Sequence, residues 1–453
     1  MVATDLPAKR QALLQSLRSA LFGNALEYFD WTIYATFSPF IAVVLFDDTD
    51  PTSAMLLTLA IFAVAFVIRP IGGAVFGRIA DRRGRKSALV GAMLLMGLGS
   101  LVLAVIPPYT AIGVGASVLL LFARLLQGLA YGGESSTSYV YVSELAPPRR
   151  RGLWSSTVFA SVTVGAMAGT LCGFVLTSLL TQEELRTWGW RVPFLVGSLL
   201  AVYALWMRVR SIETEVGSAI SESESEHAPA VRMSRVDKRR ALLDLLRLFI
   251  ILGATNIAFY TWLSFASSYA ISSLGMDSRG AFTASLCAQA LTLGLFPVFG
   301  HLSDRFGRKP VAIFATIGFG VVTFPLSALL GASPITLFVA QSIALVFWAA
   351  VGSIWPAILS EAVSPGARAI GIGITTSMAS GVFGGTAPYL NTWLTSLHLQ
   401  WVFSTYLVVL MVIATLLLAT IRETRGIDLL TMDSARDPDA GASPEPAADV
   451  ARS

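Results

Sequence analysis

The sequence predicts an all-α membrane protein, with about twelve transmembrane helices arranged as two pseudo-symmetric six-helix bundles. Three observations carry this. Of the 453 residues 55% are hydrophobic and 13% charged, with a mean hydropathy of +0.69. A soluble domain carries roughly 25% charged residues, so these are too few to cover a water-exposed surface. Apolar runs of about 20 residues, the length that crosses a bilayer, recur along the chain. A ten-residue loop in the first half returns in the second.

The runs fall near 21–46, 54–79, 87–107, 112–143, 153–181, 190–209, 244–273, 280–302, 311–331, 335–360, 369–396 and 401–421. Spans four, seven and eleven are long and glycine-interrupted, which predicts tilt or bending. The first run follows Lys9, Arg10 and Arg18, contains Glu27 and Asp30, and has no small-residue cleavage site. It reads as a retained span and not as a signal peptide.

Lysine and arginine set the orientation. One set of loops holds Arg82, Arg83, Arg85 and Lys86, then Arg149 to Arg151, then Arg232 to Arg240, then Arg305, Arg308 and Lys309, then Arg368, Arg422 and Arg425. The alternate set holds little beyond Arg186, Arg191 and Arg279, with acidic Asp47, Asp48 and Asp50. Both termini are therefore expected in the cytoplasm. The resulting organisation is a cytoplasmic segment 1–20, a bundle 21–209, a linker 210–243, a bundle 244–421 and a disordered cytoplasmic tail 422–453. The net charge of +4 comes from these basic loops, which leaves nucleic acid out and membrane lipid in as a partner. Cys172 and Cys287 lie in apolar runs as expected packing thiols. The three histidines are scattered, so neither a metal nor another cofactor is expected.

The repeat is specific. G-R-I-A-D-R-R-G-R-K at 77–86 returns as G-H-L-S-D-R-F-G-R-K at 300–309, and S-E-L-A-P around Glu144 returns as S-E-A-V-S-P around Glu361. Duplicated helical membrane units mark secondary transporters, whose substrate sites lie between repeats near mid-membrane. The loop glycines permit a tight turn, and Asp81 is suited to accept from backbone donors at a helix N-terminus. Anchoring of topology alone would also need basic loops.

Polar residues inside the spans define the candidate site. Asn24, Glu27, Trp31 and Tyr34 share one helical face, with Asp30 beside them. Arg124, Gln127, Tyr131 and Glu134 form a stripe on span four. Arg69 precedes Gly77 by eight residues, roughly 12 Å of helix rise into the membrane. A charge inside a span costs on the order of 3 kcal/mol, so each should face a cavity or a partner. Ion pairs that merely hold the bundle together would leave the same pattern. The second half offers neutral candidates: Asn256, Tyr260, Trp262, Gln341, Trp348 and Asn391. No nucleophile–base pair or metal spacing suggests an enzyme.

The signature G-x-x-x-D-R-x-G-R-K, met twice, resembles that of the major facilitator superfamily over roughly residues 20–425. Segments G-N-A-L-E-Y-F-D at 23–30, R-P-I-G-G at 69–73, R-L-L-Q-G at 124–128, G-G-E at 132–134, W-G-W-R-V-P-F at 188–194 and F-G-G-T-A at 383–387 are similar to the metabolite:proton symporter branch. That branch carries organic acids such as α-ketoglutarate and zwitterions such as proline and betaine. The resemblance implies a latch on the cytoplasmic side through Asp81 and Asp304. Together with Arg82, Arg85, Arg305, Arg308, Glu144 and Glu361 these make the candidate gate. It also implies a monomeric inner-membrane carrier of a small-molecule substrate and protons. Glu134, Asp30 and Glu27 are the expected proton carriers, and Arg69 and Arg124 the expected carboxylate binders. Alternatively, Trp31 and Tyr34 would cup the ammonium of a zwitterion, or the fold would serve a membrane sensor that moves nothing. Proton antiport is disfavoured, because residues 165–173 lack the proline of the antiporter signature in span five.

Overall fold

In the computed structural model, residues 5–47, 49–132, 139, 142–143, 145–211, 235–362 and 368–427 are described. The first half contains α1 (Asp5–Leu45), α2 (Pro51–Val67), α3 (Arg69–Arg83), α4 (Arg85–Val105), α5 (Tyr109–Ile112) and α6 (Val114–Tyr131). It continues with α7 (Arg151–Leu179), α8 (Gln182–Thr187) and α9 (Val192–Ser211). The second half contains α10 (Arg235–Phe259), α11 (Ala266–Leu274), α12 (Ser278–Phe306), α13 (Arg308–Leu329) and α14 (Pro334–Gly352). It ends with α15 (Trp355–Ala362), α16 (Arg368–Ala379), α17 (Ala387–Ser396) and α18 (Gln400–Thr420).

Among the described residues ten helices are long and apolar enough to cross a membrane, and α4 adds a shorter apolar stretch, Val90–Val105. The broken α16–α17 segment carries the remaining expected span. Large apolar side chains such as Val105, Leu179, Val321, Ile335 and Leu416 face outward. That surface suits lipid and not water.

Local chemistry explains where the helices bend. Pro70 lacks the N–H that would continue the ladder, so the second span breaks at Ile68 into α2 and α3. This places Arg69 at the break. Spans seven and eleven contain π-helical segments, Tyr260–Ser264 and Ser380–Gly384. Their wide turns close with Phe265 N–H donating to the Tyr260 carbonyl at 3.0 Å and Gly385 N–H to the Ser380 carbonyl at 2.7 Å. The side-chain amides of Gln289 and Gln341 donate to the Leu263 and Trp262 carbonyls at 3.1 and 2.7 Å. Within span four, residues 133–138, 140 and 141 lie outside the described residues, and residues 139, 142 and 143 are helical.

Small residues bring helices together where van der Waals packing must replace the hydrophobic effect. A Cβ on Gly72 would lie 2.1 Å from the Leu129 carbonyl oxygen, and one on Gly128 would lie 2.3 Å from that of Ala65. This close crossing sets Arg69 beside α6, which carries Arg124. Between the halves α7 lies along α12 for most of its length.

The repeated loop turns as expected. Gly84 and Gly307 have φ of 84° and 111°, a region that glycine enters without strain. Cys172 is half-buried, but Cys287 faces outward and is no packing thiol of the interior. Residues 422–427, assigned by composition to a disordered tail, instead lie against the basic face of the bundle.

Candidate functional site

The face of α1 predicted to carry polar residues is buried: Asn24, Glu27, Asp30, Trp31 and Tyr34 all lie inside the bundle. Asp30 accepts three hydrogen bonds, from Ser100 Oγ at 2.5 Å, Gln127 Nε2 at 2.7 Å and Tyr131 Oη at 2.9 Å. Gln127 in turn accepts from Arg124 Nη1 at 2.7 Å through its Oε1. Carboxylate and guanidinium are thus joined by one amide. Tyr131 also reaches the Glu27 carbonyl oxygen at 3.3 Å, and the Tyr34 hydroxyl donates to the Thr58 carbonyl at 2.8 Å.

Both arginines sit among aromatic rings. Arg124 is fully buried, its Cζ 4.4 Å from the Trp31 ring centre and 4.3 Å from that of Tyr34. Arg69 lies 4.3 Å from the same Trp31 ring and 4.1 Å from Phe66. Such contacts offset part of the cost of burying a cation. They leave donors open: among the described residues Arg124 Nε and Nη2 and Arg69 Nε have no hydrogen-bond partner. A planar carboxylate matches this donor geometry.

The second half meets this centre with rings. Tyr260 packs edge-on against Phe66 at 5.3 Å between centres, and Trp348 lies 4.6 Å from Phe259 and 5.4 Å from Phe159. Asn256 borders a small cavity between the halves. Gln341 accepts from Ser285 at 2.8 Å while it holds the Trp262 carbonyl, so its polar groups are engaged in packing span seven. Asn391 lines a different cavity, beside Thr261 and Gln400.

Hydrogen bonds and an ion pair join the halves on the basic face. Asp304 accepts from the backbone N–H groups of Gly152 and Leu153, at 2.8 and 2.9 Å, at the start of α7. Arg308 Nη1 donates to Asp304 at 2.7 Å, and Arg151 Nη1 to the buried Glu361 at 2.8 Å. A carboxylate at a helix N-terminus is favoured by the exposed N–H groups and the helix dipole. Glycine permits the contact: a Cβ on Gly152 would lie 2.6 Å from the Gly300 carbonyl oxygen. Thr424 Oγ1 donates to Glu361 at 2.6 Å, and Glu423 accepts from the N–H groups of Arg308 and Lys309 at 2.8 and 3.0 Å. On the opposite face Ser268 of α11 donates to the Ala35 carbonyl of α1.

Of the predicted gate, Asp304, Arg308 and Glu361 come together. Arg305 does not: it is exposed, over the ring of its exposed neighbour Phe306. Arg82 is exposed as well. Glu134 and Glu144 lie outside the described residues, as do the side chains of Asp81 and Arg85. Arg151 and Ser100 were not singled out in the sequence. Ser100 carried no signal in an apolar run. Arg151 did: it aligns with Arg368 at the offset of 217 (368 minus 151) that also relates Glu144 to Glu361.

A multi-pass helical bundle with buried charges and ion pairs between its halves is the architecture of a membrane transporter. The chain belongs to the Major Facilitator Superfamily, whose sequence model matches residues 20–296 and 281–431. It is 34% identical to the α-ketoglutarate permease of Escherichia coli (strain K12) over 398 residues, 86% of this chain and 90% of that protein. It is also 34% identical to the inner membrane metabolite transport protein YhjE of the same organism, covering 83% and 87%. A putative proline/betaine transporter of Staphylococcus aureus (strain MSSA476) is 30% identical, covering 82% and 80%. Among solved structures, the proton:xylose symporter XylE bound to 6-bromo-6-deoxy-D-glucose superposes with a TM-score of 0.74 at 19% identity, covering 94% of this chain and 100% of that one.

Proposed function

We propose that the chain is a proton-coupled symporter that imports a small organic acid, an α-ketoglutarate-like dicarboxylate or a related carboxylate, across the inner membrane. The basic face is cytoplasmic, with both termini on that side. The halves 21–209 and 244–421 rock about the central site, and the whole path lies within one chain. One observation carries the reading: Arg124, fully buried, keeps Nε and Nη2 without a partner among the described residues. A buried guanidinium with open donors is poised for an anion. Binding there shifts the pull on Gln127 and, through it, on Asp30, which couples substrate to proton. The names of the α-ketoglutarate permease and of YhjE support the substrate class and the membrane.

A zwitterion is less well served. The faces of Trp31 and Tyr34 that would cup an ammonium already carry guanidinium groups. A further cation there would meet like charge.

Proteoliposome uptake of labelled organic acids, proline and betaine tests this. Saturable acid accumulation driven by a pH gradient and abolished by a protonophore is expected. Arg124→Gln should raise the acid KM about tenfold or more, the loss of one charge-assisted contact. Uptake of zwitterions alone, or binding of acid without flux, would overturn the proposal.

A further inference from the structure

A cavity between the halves is lined by Tyr28 and Tyr139 from the first half and by Asn256, Trp348, Thr376 and Ser380 from the second. Its volume is about 30 Å³. That admits a water molecule or one small polar group of a ligand, not a whole substrate. The cavity adjoins the arginine centre through packed rings: Arg69 lies over Phe66, Phe66 packs 5.3 Å from Tyr260, Tyr260 packs 4.7 Å from Phe259, and Phe259 is part of the cavity wall. On its other side Leu359 lines it, two residues before Glu361 of the latch. The chamber therefore lies on the line from the arginines to the basic face.

Its chemistry is neutral. No Asp, Glu, Lys or Arg among the described residues lines it. Trp348 is 2% exposed and its Nε1 has no hydrogen-bond partner among the described residues. An indole N–H can only donate, so it calls for an acceptor. Thr376 spends its proton on the Ile372 carbonyl at 2.7 Å and keeps lone pairs free, while Asn256 and Ser380 can donate or accept. A carbonyl or hydroxyl oxygen would satisfy the indole.

We infer that this chamber binds an uncharged oxo or hydroxyl group of the transported acid, which makes the carrier selective for oxo- and hydroxy-acids over their plain analogues. The inference rests on the proposed acid transport at the arginines. A site built to hydrogen-bond a substrate oxygen rejects the analogue without it, because its own polar groups are then left unpaired.

The experiment is competition for uptake into proteoliposomes by pairs differing in one oxygen function: 2-oxoglutarate against glutarate, and lactate against propionate. In the unaltered full chain the oxygenated member of at least one pair should inhibit about tenfold more strongly. Trp348→Phe keeps the ring against Phe159 and Phe259 but removes the donor, and should bring that ratio close to one. Asn256→Ala, judged alone if the first variant fails to fold, should also lower it. Equal inhibition by both members of each pair, or a ratio untouched in folded variants, overturns the chamber while leaving acid transport standing. Failure of every acid to compete overturns the transport reading itself, and the chamber with it.

Discussion

Asp30 and Arg124 meet through Gln127, whose two amide atoms hold one at 2.7 Å and the other at 2.7 Å. The amide is polar at both ends, so neither charge can change its partners without the other registering the loss. Replacement by leucine leaves each short of one partner. Each group left short of a partner should cost about 1–3 kcal/mol, and Gln127→Leu should lower the melting temperature in detergent and abolish uphill accumulation. Melting curves and proteoliposome uptake check both.

Asp30 should matter for driving force more than for binding. Its partners Ser100 and Tyr131 are hydroxyls, which can donate to the carboxylate or turn a lone pair toward the protonated acid. The site thus accommodates both protonation states. Asp30→Asn mimics the neutral one, so substrate exchange across the membrane should continue while pH-driven accumulation stops. Loss of both, or of neither, would count against Asp30 as a proton carrier.

The latch makes a steric prediction. Gly152→Val would drive a side chain into the Gly300 backbone, wedging the basic face open. Arg151→Ala removes one partner of a buried ion pair, a loss of about 3–5 kcal/mol from the closed arrangement. Spin-label distances between the basic-face ends of α7 and α12 should lengthen in both variants. Unchanged distances would mean that this pairing does not hold the face shut.

Asp50, outside the spans, caps α2 by accepting from Thr52 N–H at 3.0 Å and from the Ser53 hydroxyl. These donors, the Ser53 hydroxyl foremost, hold its carboxyl below the usual range. A depressed carboxyl stabilises the fold above its unfolded pKa of about 3.9, and the contribution is lost as pH falls through the lowered value. The melting-temperature gap between the unaltered chain and Asp50→Ala should therefore be present near neutral pH and close as the solution is acidified through that window.

Hydropathy and charge placement made the fold legible, because a bilayer demands long apolar helices and sorts basic loops to one side. The bends were harder to place. A break at Ile68 follows from Pro70, but the π turn at Tyr260–Ser264 depends on Gln289 and Gln341, which are remote in sequence and hold freed carbonyls. Helical spacing correctly grouped Glu27, Asp30, Trp31 and Tyr34, and Arg124 with Gln127 and Tyr131. It was silent on Ser100, which contributes a hydroxyl from α4 that no periodicity distinguishes from packing.

The latch shows a second limit. Arg151 lay in a run of three arginines and read as topological charge, although only this one is buried against Glu361. Arg305 read as part of the gate from its motif, yet it is exposed. Motif position names the loop, while the packing of α7 on α12 decides which guanidinium closes it.

The most direct check is a structure with a brominated organic acid bound, located by its anomalous signal. The account predicts the ligand carboxylate at about 2.7–3.2 Å from Arg124 Nε or Nη2. A carboxylate seated elsewhere, for example beside Asn391 and Gln400 in the second half, with those Arg124 donors still empty, would contradict it.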